Sequence, residues 1–243
     1  MKSMRSEPLG EFIAASAWGK NLTAEQLQRV CSEASELKVD AGQTVCHRGV
    51  LAEYWYGVIE GLVKVSTVSR NGRPTTFIGI PAAGWFGEGA VLKHQIRPYD
   101  VVALRASRLA LIPAATFHWL FGASLPFNAF LIGHLNARLA QFVIRLEHAR
   151  SHDPDRHVMH CLAELFNPEL YPGTSTTFQI SQEEIAFLAG VSRQLVNRAL
   201  HQLEEVKLVE VSYGSITILD VDALREFAAH QDDPDDASIV ARR

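Results

Sequence analysis

The chain has 243 residues, 47% of them hydrophobic and 21% charged, enough for one large domain or two modest ones. Its net charge of −4 gives no bulk support to nucleic-acid binding, so any such role has to rest on local patterning. No apolar run reaches the roughly 18 residues of a membrane span, and the start, MKSMRSEPLGEF, lacks the apolar stretch of a secretory signal, so a cytoplasmic protein with no membrane partner is expected. Cys31, Cys46 and Cys161 are far apart and odd in number, which suits reduced thiols better than a disulfide framework, a zinc cluster or an iron–sulfur centre.

After an N-terminal segment, 1–22, the stretch TAEQLQRVCSEASEL (23–37) predicts a helix. Thr23 stands as its cap, and Leu27, Val30, Cys31 and Ala34 recur at helical spacing. From about 38 to 121 the texture changes to short β-rich runs broken by glycine, such as VIEGLVKVSTV, TTFIGI and DVVALRASRLALIP. Turns are expected at Asn71-Gly72 and Ala83-Gly84. Short strands with frequent turn signals predict a β-sandwich or barrel, and 23–125 is expected to form one β-domain.

Residues 126–150, PFNAFLIGHLNARLAQFVIRLEHAR, predict a long helix, and 126–152 is assigned to it. Asn128, Ile132, Leu135, Leu139, Phe142, Leu146 and Ala149 alternate in steps of four and three, the repeat of a coiled-coil seam. At roughly 1.5 Å per residue the span 128–149 covers about 33 Å, enough to link two domains while pairing with a second copy. A helix packed on its own β-domain is the alternative, and the periodicity of one chain leaves it open; self-pairing is favoured.

The α-rich zone 153–228 closes on a hairpin, LVEVSYGSITIL (208–219), with Tyr213-Gly214-Ser215 at its tip. The segment 229–243 contains DDPDD and is expected to be a solvated, disordered tail. Within the zone, ISQEEIAFLAGVSRQLVNRALHQLE divides into two helices. Ser181 and Glu184 can form a capping box, Gly190 permits a sharp turn, and Ser192 can cap the second helix. Val196, Leu200 and Leu203 then point to the core, while Arg193, Gln194, Asn197, Arg198 and His201 share the outer stripe. Every side chain on that stripe can donate a hydrogen bond, and no acid occurs before Glu204. Arg matches guanine N7 and O6, and Asn and Gln match adenine. A carboxylate there would repel phosphates. The stripe is therefore read as a surface for the major groove, against the alternative of a merely solvated face.

These residues resemble the Crp/Fnr family of bacterial transcription regulators. Ser192-Arg193-Gln194-Leu195-Val196-Asn197-Arg198 is similar to the family's Ser-Arg-Glu-Thr-Val-x-Arg, and YGVIEGLVKV (56–65), GWFGEGAVL (84–92), the long helix and the hairpin extend the likeness over about 23–228. The resemblance implies an α+β fold: an N-terminal β jelly-roll that senses an effector, a dimerisation helix and a C-terminal winged helix-turn-helix. It implies a homodimer joined through Ile132, Leu135, Leu139, Phe142 and Leu146. The operator would be near-palindromic double-stranded DNA, read by recognition helices about 34 Å apart, with RNA polymerase as a further partner. Ser192, Arg193, Gln194, Asn197, Arg198 and His201 become the DNA contacts, with Gln194 where the family commonly has Glu, so the half-site should differ at that base pair. The few basic residues of this head imply a salt dependence set by only a handful of phosphates.

In cyclic-nucleotide-binding relatives, Phe-Gly-Glu holds the ribose through Glu and a later Arg-Ser/Thr-Ala holds the phosphate. Phe86-Gly87-Glu88 is intact and Arg97 stands near the Arg position, which makes Glu88 and Arg97 the effector-binding candidates. Pro98 and Tyr99 depart from the pattern. Proline has neither hydroxyl nor N–H, and losing two charge-assisted donors costs on the order of 3–6 kcal/mol. Tight cyclic-AMP binding is therefore not expected, and the effector is a cyclic nucleotide or another small molecule. The structural alternative for Glu88 and Arg97 is a buried ion pair. His148, His152, His157 and His160 could approach metal-ligand spacing, but Asp153-Pro154 separates the pairs, so no metal is expected. GWFGEG has no following Lys-Ser/Thr to complete a phosphate loop, and no catalytic constellation is visible, so no enzyme is expected. Two further alternatives are a strictly cyclic-AMP-dependent regulator and a ligand-binding or partner-interaction module without DNA contact.

Overall fold

The glycine-broken runs of the first half fold into two antiparallel sheets. The computed structural model describes residues 7–68, 74–150, 154–173, 176–212 and 214–230. The chain divides into two units, Met1–Leu139 with Pro168–Gly173, and Ala140–Asn167 with Thr174–Arg243. The first unit holds strands β1 (Ser35–Val39), β2 (Thr44–Cys46), β3 (Tyr54–Glu60), β4 (Leu62–Val68), β5 (Pro74–Pro81), β6 (Trp85–Phe86), β7 (Asp100–Ala103) and β8 (Ser107–Pro113). One sheet is ordered β1-β8-β3-β6 and the other β2-β7-β4-β5.

Successive residues of a strand face opposite sides, and β3 uses both. Tyr56 and Val58 join the core shared with Val63, Val65, Ile78 and Val101 of the second sheet. Trp55 and Ile59 join a second core, built with the helices α1 (Leu9–Ala15), α2 (Ala24–Glu33), α4 (Ala114–Ala123) and the start of α5 (Leu125–Arg150). Covered on both faces, β3 is buried continuously from Trp55 to Ile59. The short α3 (Glu88–Leu92) follows β6. Thr23 caps α2 as the spacing predicts, and Gln26 completes its capping box.

The segment 1–22 is more than a leader to the roll. Phe12, Ile13 and Trp18 are buried in the helical core. Trp18 lies with its ring centroid 5.1 Å from Trp55 and 5.0 Å from Trp85, and Trp55 and Trp85 are 4.4 Å apart. Each such aromatic, fully buried, contributes about 1.5–3 kcal/mol of apolar burial. The turn at Ala83 takes a left-handed φ of 66°.

The second unit contains α6 (Pro154–Leu165), β9 (Thr177–Gln179), α7 (Gln182–Ala189), α8 (Arg193–Glu205), β10 (Val209–Ser212), β11 (Ser215–Ile218) and α9 (Val221–His230). The predicted hairpin is β10 and β11, but β9 adds a third strand on the far side of β11. Three residues are too few to show a period in sequence. Helix α9 continues to His230, so the tail does not begin at 229 as expected; Ala228, 2% exposed, anchors its last turn in the core. The remainder of the tail, 231–243, the Asn71-Gly72 turn and Tyr213 lie outside the described residues. No helix among the described residues is long and apolar enough to cross a membrane.

Candidate nucleic-acid interface and effector pocket

Helix α8 is presented by the local chemistry anticipated for it. The Ser181 hydroxyl accepts from the Glu184 amide, while the Glu184 carboxylate accepts from the Ser181 amide. Gly190 ends α7 with a φ of 71°, a left-handed value that favours glycine. The Ser192 hydroxyl then accepts from Leu195 N at 3.4 Å and opens α8. Val196, Ala199, Leu200 and Leu203 are buried beneath it. Ser192, Arg193, Gln194, Asn197, Arg198 and His201 are all exposed, so the donor-bearing stripe faces away from its own core.

Three side chains from outside that stripe act on it, and helical periodicity could reveal only Glu204, three residues after His201. The Asp155 carboxylate, at the first turn of α6, accepts from Arg198 Nε at 3.0 Å and from Nη2 at 2.5 Å. Gln182 at the start of α7 donates to Asn197 Oδ1 at 3.2 Å. Glu204 turns one oxygen to the backbone of the wing, accepting from Val211 N at 2.9 Å, and lies 3.5 Å from His201 Nδ1 with the other. The stripe carries no acid in sequence before Glu204, yet in space an acid meets its second arginine.

The effector candidates are both buried: Glu88 is 6% and Arg97 2% exposed. They do not form the ion pair that the structural alternative required. Arg97 donates from Nη2 to the Tyr54 carbonyl at 2.5 Å and lies 5.1 Å from the centroid of the Tyr56 ring. Its Nη1 and the Oε2 of Glu88 are buried with no hydrogen-bond partner. Gly87 makes this packing possible. Its φ is 93°, and a Cβ there would come within 2.6 Å of Arg97 Nη1. Burial, then the nearby Glu88 carboxylate, pushes the Tyr99 hydroxyl up to about 12, so the phenol stays neutral.

His134, Arg138 and Tyr171 join this neighbourhood without having been anticipated. His134 Nε2 lies 3.8 Å from Glu88 Oε1. Burial holds its imidazole below the ordinary value. Arg138 donates to the Tyr171 hydroxyl at 2.9 Å and to the Trp85 carbonyl at 3.1 Å, and Tyr171 donates to the Gly79 carbonyl at 3.0 Å. Arginine and histidine inside a coiled-coil-like helix were the available signal, but nothing in sequence linked them to a tyrosine 33 residues on.

On α5, Ile132, Leu139 and Leu146 are 62%, 61% and 60% exposed, and Leu125, in the same heptad phase, is 82% exposed. Phe142 is also exposed, whereas Leu135 is partly buried against its own helical core. Asn128 donates to the Phe121 carbonyl at 2.9 Å. Among the four histidines near 148–160, His148 and His152 have no described side chain; His160 is buried. No group of three or more metal-binding side chains occurs among the described residues.

Comparison with known proteins gives two family matches, a cyclic nucleotide-binding domain over residues 36–124 and a Crp-like helix-turn-helix domain over 137–227. The chain is 28% identical over 188 residues to the Cyclic AMP receptor protein of Thermus thermophilus, which covers 77% of this chain and 85% of the relative. It is 26% identical over 192 residues to the Transcriptional regulator SdrP of the same organism, covering 77% and 91%. In fold it resembles FixK2 from Bradyrhizobium japonicum with a TM-score of 0.64 at 17% identity, over 79% of this chain and 96% of that one.

Proposed function

The chain belongs to the Crp/Fnr family of DNA-binding transcription regulators, and from that premise we propose that it works in the cytoplasm as a homodimer on near-palindromic DNA, under control of a small molecule held by Glu88 and Arg97. The observation that carries the dimeric reading is the apolar ridge of α5. Leu125, Ile132, Leu139 and Leu146 recur every seven residues and stay at least 60% exposed in the single chain. Such a seam is what two parallel helices bury against each other. In the proposed complex Ser192, Arg193, Gln194, Asn197, Arg198 and His201 meet the major groove or its flanking phosphates, and RNA polymerase is the further partner.

The effector reading is supported by the two buried atoms without partners. An unsatisfied carboxylate oxygen and guanidinium nitrogen ask for a ligand that brings a hydrogen-bond donor to one and an anionic oxygen to the other. A cyclic nucleotide has both groups, but Pro98 offers its phosphate neither N–H nor hydroxyl beside Arg97, and Tyr99 sets a bulky ring next to it. A smaller hydroxylated anion fits the same two atoms.

Selection of duplexes from a random pool, followed by gel shift and sedimentation, tests the whole reading. One dimer is expected per two-fold symmetric site, and Arg193→Ala should weaken the selected site about tenfold or more. A monomer on an asymmetric site would overturn the proposal, as would unchanged affinity in Arg193→Ala and Arg198→Ala together.

A further inference from the structure

We infer that Asp155 is a positioning residue for DNA recognition: by clamping the side of the Arg198 guanidinium, it makes that arginine a reader of bases and not a mobile cation for phosphates. The inference rests on the reading of Arg198 as a DNA contact and goes beyond it. The contact is bidentate, through Nε at 3.0 Å and Nη2 at 2.5 Å. The exposures are unequal: the Asp155 side chain is 13% exposed and that of Arg198 56%. The acid is thus set into the protein while the arginine reaches outward from it.

Two consequences follow from planar guanidinium chemistry. With the Nε–Nη2 side engaged by a carboxylate, a guanine has to be met end-on by the Nη1–Nη2 edge, which fixes the direction from which the base is read. The carboxylate also offsets the arginine's charge, so Arg198 adds little to the counterion release that drives sequence-independent binding. Gln182 holds Asn197, the residue just before Arg198, through its own hydrogen bond, so neighbouring positions of the stripe are both buttressed from other helices.

The test uses the full chain, a duplex selected by the wild-type protein and a scrambled duplex of equal length. Asp155→Ala should bind the scrambled duplex more tightly and steepen the logarithmic salt dependence by about 0.9 per protomer, one added phosphate contact. Its preference for the selected duplex should fall roughly tenfold. Asp155→Asn, which keeps the shape and one acceptor, should fall between wild type and Asp155→Ala and covers the case in which the alanine variant fails to fold. In an Arg198→Ala background, removal of Asp155 should leave the preference unchanged, because the two residues act as one unit.

A purely structural acid at the first turn of α6 would give a different pattern. It would lower the melting temperature and cost the same preference with or without Arg198, and that result overturns the inference. So does an Asp155→Ala protein with wild-type preference and salt slope alongside an Arg198→Ala protein that has lost discrimination; there Arg198 reads DNA unaided. If Arg198→Ala changes nothing, the reading of Arg198 itself fails, and the inference falls with it.

Discussion

At the scale of single residues, the recognition helix was legible because its inner and outer faces differ in chemistry at a 3.6-residue period. All six predicted contacts are exposed over buried Val196, Leu200 and Leu203. Asp155 was not legible, since it stands 43 residues from its partner and only tertiary packing brings it there. Gln194 gives the most direct residue-scale prediction. An amide can both donate and accept, whereas a glutamate can only accept, and cytosine N4 is the major-groove donor it suits. Gln194→Glu should therefore bring a cytosine into one base pair of each selected half-site, with discrimination of about 1–3 kcal/mol against other bases. An unchanged selected sequence would remove Gln194 from the base-reading set. His134 adds a dependence on pH. Burial lowers its folded-state pKa below the ordinary 6.5, so on acidification the unfolded chain takes up the proton first. Stability should be level above that value and fall as the pH drops from it towards the folded pKa. Urea unfolding across this range should show that fall flattened in His134→Gln.

At the scale of elements, α5 shows how far periodicity reaches. The heptad predicted a ridge, and the exposed ridge is there, but spacing alone could not separate residues that serve the chain's own core from those left for a partner. Leu135 and Leu139 are four residues apart on the same predicted seam; the first packs into the helical core and the second is 61% exposed. Their glutamate variants should accordingly fail in different ways. Leu139→Glu leaves the core of the single chain intact and removes apolar contact worth about 1.5–3 kcal/mol from each protomer of the proposed dimer, so sedimentation should report monomers whose melting temperature loses only the share that depends on protein concentration. Leu135→Glu places a charge against the core and should lower the melting temperature as well. Equal loss of stability in both would contradict the division. The same limit explains two other elements. The N-terminal segment showed little in sequence because its contribution is three side chains, Phe12, Ile13 and Trp18, and the rings that Phe12 and Trp18 meet, Trp55, Trp85 and Phe127, lie far along the chain. Strand β9 is too short to carry an alternation of its own.

At the scale of the whole molecule, regulation requires that a ligand prefer the DNA-competent population, because a ligand with equal affinity for both states shifts nothing. The orphaned Glu88 oxygen and Arg97 nitrogen are where such a preference can arise, since satisfying buried polar atoms is worth more in a conformation that keeps both of them dry. Linkage then makes the proposal quantitative. If a ligand tightens operator binding by some factor, operator DNA must tighten ligand binding by that same factor, with coupling of about 1–3 kcal/mol, roughly 5–150-fold. Titration calorimetry with hydroxylated small anions and with cyclic AMP, on free and on operator-bound protein, measures both sides of the cycle. The anion that closes it should lose its heat in Glu88→Gln, which keeps one acceptor but removes the charge. Cyclic AMP is expected to bind more weakly than micromolar, because Pro98 stands where its phosphate needs donors and Tyr99 puts a bulky ring where a small residue would give it room. Micromolar cyclic-AMP binding that Glu88→Gln abolishes would restore a strict cyclic-nucleotide switch. Operator affinity indifferent to every ligand that reaches Glu88 and Arg97 would mean that these two buried charges serve the roll alone.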